Sequence, residues 1–177
     1  MYGRIIFNII LIIFLTALQL AFINNLPGAL SGLNLILIFL LFILILGNLE
    51  IALWWAVGAG IILDIFSFSI FGFFLITFCL MIFAANFLLV NFFTNRSLYS
   101  FCILATIVIF FYEFILNFIR YLTSFLGGSS FALILNFAFW KTKASELILN
   151  LLLVFILFYL VNFITNSLKP VFLIKGE

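Results

Sequence analysis

The chain contains no histidine, a single aspartate, two cysteines and two prolines. Without histidine there is no imidazole for Ser-His or Cys-His catalysis, for an H-E-x-x-H zinc site or for haem ligation of that kind. One aspartate, Asp64, cannot form an Asp–Asp dyad. Cys79 and Cys102 lie inside apolar runs with no C-x-x-C spacing, so they read as small packing residues. An enzyme would have to work from Glu113, Asp64 and Arg120 alone, with the other usual parts of an active site missing. The expectation is a protein that is not an enzyme and uses neither cofactor nor metal.

Charge is scarce as well. Only 7% of the 177 residues are charged, the formal balance is +2, and the basic residues are scattered, which excludes the basic patch of a nucleic-acid-binding protein. With 69% apolar and 20% aromatic residues, the composition is that of a chain dissolved in lipid. At about 20 residues per span this length allows about six helices. No soluble domain of the usual size, about 50 residues or more, fits beside them.

The pattern along the chain predicts an all-α polytopic membrane bundle in one domain. Its helices are expected at about 5–23, 33–47, 50–66, 72–93, 98–126 and 146–166, with 131–140 as an interfacial or re-entrant piece too short to span. The first apolar run is too long for a signal-peptide core and no small-x-small cleavage site follows it, so it reads as an uncleaved helix. Asn8, Thr16 and Gln19 fall near one of its faces, turned towards other helices. Pro27-Gly28 marks the break before helix two. Asn48 is placed to cap helix three, and Glu50 sits in that helix's first turn, where an acid suits the dipole. Trp54 and Trp55 near the same end suggest an interfacial belt.

Two stretches stand out. In helix three, Ala52, Ala56, Gly60 and Asp64 recur every four residues and share one face, three small groups and an acid. An acid within a span is costly and is read first as a functional site. In helix five, Cys102, Thr106, Glu113, Asn117, Arg120 and Ser124 recur at steps of three, four and seven, forming a polar stripe that must face the bundle interior or water. Glu113 and Arg120 are two turns apart, about 10 Å along the axis, with Asn117 placed to relay hydrogen bonds between them. Counting basic residues puts Arg4, Arg96, Lys169 and Lys175 on one side and Lys141 and Lys143 on the other, so both termini are expected in the cytoplasm. On that topology Asp64 and Arg120 reach a similar depth. They are predicted to pair in the outer leaflet, where the small face of helix three packs on the stripe of helix five.

Several of these elements, in this order, resemble the bacterial rod shape-determining membrane proteins of the MreD family. The likeness rests on Asn34-Leu-Ile-Leu opening helix two, and on Gly58-x-Gly60-x-x-x-Asp64 followed by Gly72 and a long helix. It continues with Tyr112-Glu113 in helix five and with Leu147-Ile-Leu-Asn150-Leu-Leu-Leu opening the last helix. One position departs: Leu33 stands where a proline often precedes helix two in that family. The resemblance implies a non-enzymatic subunit of the cell-elongation machinery in the bacterial inner membrane, a scaffold surrounded by lipid. Its implied partners are a periplasmic coiled-coil protein (MreC) and, through the complex, the actin-like filament protein and the synthases of sidewall peptidoglycan. Gly58, Gly60, Asp64, Gly72, Glu113, Asn117, Arg120 and Asn150 are the expected structural and interaction residues.

The same resemblance implies a second possibility, because the family is thought to share its fold with the substrate-binding subunits of energy-coupling-factor vitamin transporters. On that reading the stripe of helix five lines a vitamin pocket open to the outside, and Ala17-x-x-x-Ala21 helps dock the energising unit. Few convergent polar groups for such a pocket are visible in the sequence, which favours the scaffold.

Overall fold

A computed structural model describes residues 2–67, 71–92, 98–126 and 137–165. The protein is an all-α polytopic membrane bundle of six helices among these residues: α1 Tyr2–Ala21, α2 Leu35–Leu46, α3 Leu49–Phe66, α4 Phe73–Asn91, α5 Leu98–Leu126 and α6 Phe137–Thr165. Two short 3₁₀ turns, Ile23–Asn25 and Gly28–Gly32, link α1 to α2. Five of the helices are long and apolar enough to cross a membrane, and the short one is α2.

α2 is the axle of the bundle. Its sequence, Leu-Ile-Leu-Ile-Phe-Leu-Leu-Phe-Ile-Leu-Ile-Leu, has no polar face to present to anything. A helix apolar on all sides is buried by lipid or by protein. Here protein buries it: eight of the twelve residues are inaccessible, and α2 touches each of the other five helices. At about 1.5 Å per residue it is only about 18 Å long, well short of the roughly 30 Å hydrocarbon layer. Its N-terminal end lies among neighbouring chain segments, where its free N–H groups must be satisfied, while Leu46 and Asn48 at the other end are exposed.

α3 lies along α4, which Gly72 precedes. Ala52, Ala56, Gly60 and Asp64 are all buried, as the four-residue spacing predicted. Their neighbour is different from the one expected. The small face of α3 meets α4, and among the described residues no Cα of α3 lies within 8 Å of a Cα of α5. Consecutive helices on a short turn pack antiparallel, and the bare Gly60 lets the α4 backbone come so near that an added Cβ would sit 2.5 Å from Leu75 Cα. Gly58 faces the other way, towards Ile12 of α1.

Helix six also differs from expectation. Phe137–Trp140 is the first turn of α6, continuous with the span once placed at 146–166, while 131–136 lies outside the described residues. No glycine or proline interrupts 137–165. Lysine and glutamate are good helix formers, so the charges at 141–146 do not break the helix. The remaining boundaries differ from the predicted ones only at their ends; α2 starts at Leu35 because Asn34 is its cap. Glu50 stands in the first turn of α3 as expected, but Asn48 makes no side-chain cap there. Of the two tryptophans, Trp54 is exposed on the outer surface and Trp55 is buried. Ile5, Ile6, Phe7, Ile9, Ile10, Ile13 and Phe14 leave α1 with a broad exposed apolar face, as a lipid-facing helix requires.

Candidate functional site

Two helices, α2 and α4, begin inside the protein, and buried polar side chains close their first turns. The opening N–H groups of any helix have no partner within it, and away from water each must find one. Asp64, only 4% exposed, supplies three acceptors' worth of contact to α4. Its Oδ1 accepts from Phe74 N–H at 2.8 Å, and its Oδ2 accepts from Gly72 N–H at 3.1 Å and Leu75 N–H at 3.2 Å. Gly72 takes φ +94°, a left-handed conformation that a side chain would strain, and this aims the turn back at the carboxylate.

This geometry changes the role expected for Asp64. The predicted contact surface with α5 is absent, and the carboxylate is instead set against the positive end of the α4 dipole. A helix N-terminus does for it what a cation was expected to do. The Arg120 side chain lies outside the described residues, as does that of Ser124.

The start of α2 is closed by three amides. Asn34 Oδ1 accepts from Leu37 N–H at 3.1 Å, the ordinary cap. Gln19 of α1 accepts from Leu35 N–H at 2.9 Å through Oε1, while its Nε2 donates to Leu33 O at 2.8 Å and Asn24 Oδ1 at 2.9 Å. Asn150 of α6 accepts from Asn34 N–H at 2.9 Å through Oδ1, and its Nδ2 donates to Gly32 O at 3.0 Å and Glu146 O at 2.9 Å. Gln19 and Asn150 are nearly inaccessible, and the amide nitrogen and oxygen of each are bonded to neighbouring chain. Gly32 admits α6 here, since an added Cβ would collide with the Glu146 side chain.

Among its described side chains, the α5 stripe shows local bonds and a link to α6. Thr106 Oγ1 donates to Cys102 O at 2.8 Å, and Asn117 Nδ2 donates to Glu113 O at 2.9 Å, so both turn back on their own helix. The relay expected from Glu113 through Asn117 is therefore replaced by a bond to the Glu113 backbone. The Glu113 carboxylate pairs with Lys143 of α6 at 3.0 Å, and Lys143 also meets Glu146 at 2.7 Å. Lys143, Glu146 and Gln19 were not singled out as site residues from the sequence. Gln19 carried one usable signal, an amide in the last turn of an apolar helix, just before a loop.

These groups line an open cavity of about 690 Å³ bordered by α4, α5, α6, the ends of α1 and α3, and the link between α1 and α2. Phe74, Phe78, Tyr112, Phe139 and Trp140 give it aromatic walls, with the Phe78 and Tyr112 rings stacked at 6.0 Å and 11°. Its polar lining comes from separate elements, which is why few convergent groups were visible in any one stretch. Among the described residues no three Cys, Asp or Glu side chains gather as metal ligands. Compared with protein families, with curated proteins and with solved structures, the chain has no match in any of the three.

Proposed function

We propose that the protein is a non-enzymatic subunit of the bacterial cell-elongation complex, a multi-pass adaptor in the cytoplasmic membrane with both termini in the cytoplasm. The observation that carries this reading is the use made of the residues behind the resemblance. Asn34, Gly60, Asp64, Gly72 and Asn150 set helix starts and close approaches, and their polar atoms are occupied by backbone. Such residues preserve a shape, and a preserved shape is what an adaptor offers its partners. Helix association within a bilayer depends on close packing and a few hydrogen bonds. Partner helices of an MreC-type coiled-coil protein would dock on the exposed faces, and the peptidoglycan synthases and filament protein would join through that complex.

Depletion in a rod-shaped host tests it. Cells should widen and round, and crosslinked membranes should yield the periplasmic coiled-coil protein with this chain. Unchanged cell width together with no such partner would sink the proposal.

A second reading, the substrate-binding subunit of an energy-coupling-factor-type transporter, is favoured by the cavity, whose volume falls in the range of small-molecule sites, about 300–1,000 Å³. Its distinguishing result is co-purification with an ATPase complex in place of the coiled-coil protein.

A further inference from the structure

We propose that the cavity between α4, α5 and α6 binds a small organic cation with a flat apolar body. This goes beyond the adaptor reading and does not rest on it; under the second reading it would name the substrate class.

The body of the ligand follows from the walls. Seven aromatic side chains line the cavity, drawn from α4, α5 and α6. Such surfaces favour a planar apolar group, and their π faces attract positive charge. The polar atoms of Asn150 and Gln19 at the α2 end are already committed to backbone. They leave a neutral, preformed wall.

The sign of the charge follows from Glu113, Lys143 and Glu146, the charged side chains among the described lining residues. Among the described lining residues, two carboxylates and one ammonium leave one net negative charge. Lys143 lies within 3.0 Å of one carboxylate and 2.7 Å of the other, so an anionic ligand would have to displace a carboxylate to reach it. The displaced acid would then be left without its cation partner. A cation joins the group without displacing anything and brings it to neutrality. Side-chain exposures of 33% for Lys143 and 34% for Glu113 show that the charged group is reachable from outside while the aromatic pair behind it is closed.

Three probes with one ring system separate charge from hydrophobicity: 1-naphthylmethylammonium, 1-naphthylmethanol and 1-naphthylacetate. Binding to the purified full-length protein in lipid nanodiscs is measured by calorimetry, with thermal stability as a second readout. The ammonium should bind at least about tenfold more tightly than the acetate, and it should raise the melting temperature. Glu113→Gln should reduce that preference to within about threefold while the neutral alcohol binds as before. Ala144→Trp, which adds bulk at a lining position on the exposed side of α6, should abolish saturable binding without loss of folded protein. Equal binding of all three probes, a preference for the acetate, or ammonium binding that survives Ala144→Trp would each overturn the proposal. None of these results would alter cell width or partner capture, so the adaptor reading is judged separately.

Discussion

Asn150 and Asn34, 116 positions apart in the chain, are joined at 2.9 Å, with the side chain of one closing the backbone of the other. The same Asn150 amide also donates to Gly32 O, so α6 grips both sides of the turn into α2. Replacing Asn150 with Ala leaves the part-buried Asn34 N–H and Gly32 carbonyl without their side-chain partner, at about 1–3 kcal/mol in all. Asp in its place should be worse, because a carboxylate oxygen would then face Gly32 O and Glu146 O. Unfolding in mixed micelles measures both; native stability in Asn150→Asp would show that the grip is not made.

Asp64→Asn is the sharpest test of the α4 cap. Asparagine has one acceptor oxygen, so at best it keeps the bonds to Gly72 and Leu75 and turns its NH₂ against Phe74 N–H, or the reverse. A loss of about 2 kcal/mol is expected from the orphaned donor and the weakened dipole interaction. Amide exchange at Phe74, Leu75 and Gly72 reads the site directly, and the variant should exchange faster there. Unchanged protection would mean that the carboxylate is not the cap.

Gly60 and Gly58 are two residues apart and should behave oppositely. At Gly60 a methyl group would meet the Leu75 backbone, which cannot move without shifting α4, so Gly60→Ala should cost about 1–3 kcal/mol. At Gly58 the obstacle is the tip of the Ile12 side chain at 3.2 Å, which can rotate away. Gly58→Ala should be neutral or stabilising by up to about 1 kcal/mol, since alanine is the better helix former. Equal effects in thermal unfolding would contradict the packing of α3 on α4.

Orientation is checked by cysteine labelling in a Cys79→Ala, Cys102→Ala background. Leu30→Cys lies in the link between α1 and α2, and Asn48→Cys lies at the opposite end between α2 and α3, where the native side chain makes no cap. A membrane-impermeant maleimide should label Leu30→Cys in intact spheroplasts and Asn48→Cys only after permeabilisation. The reverse pattern would turn the bundle over and place the cavity on the cytoplasmic side.

Much of the architecture could be read from residue order, because spans, breaks and the four-residue spacing up to Asp64 are written in side chains. The partner of Asp64 could not. A search for its counter-charge looks among lysines and arginines, whereas the group that answers it is backbone, which every residue carries and no letter marks. The centrality of α2 was hidden for a related reason: an all-apolar helix looks the same whether lipid or protein surrounds it. Lys143 falls outside the helix expected at 146–166 and Glu146 is its first residue, and charge near a span end usually means water. Only the register of α5 against α6 shows that they answer Glu113.

The short central helix has a consequence for biogenesis. During synthesis the chain emerges from its N-terminus, and α2 arrives early with an apolar length too small to cross the bilayer alone. Its first N–H groups can be closed on one side by Gln19, already present, but the Asn34 N–H must wait for Asn150 in the last helix. The bundle therefore cannot settle its own centre until α6 has been made. A chain truncated before α6 would carry an open, unsatisfied middle, which is the kind of defect that membrane proteases and chaperones recognise.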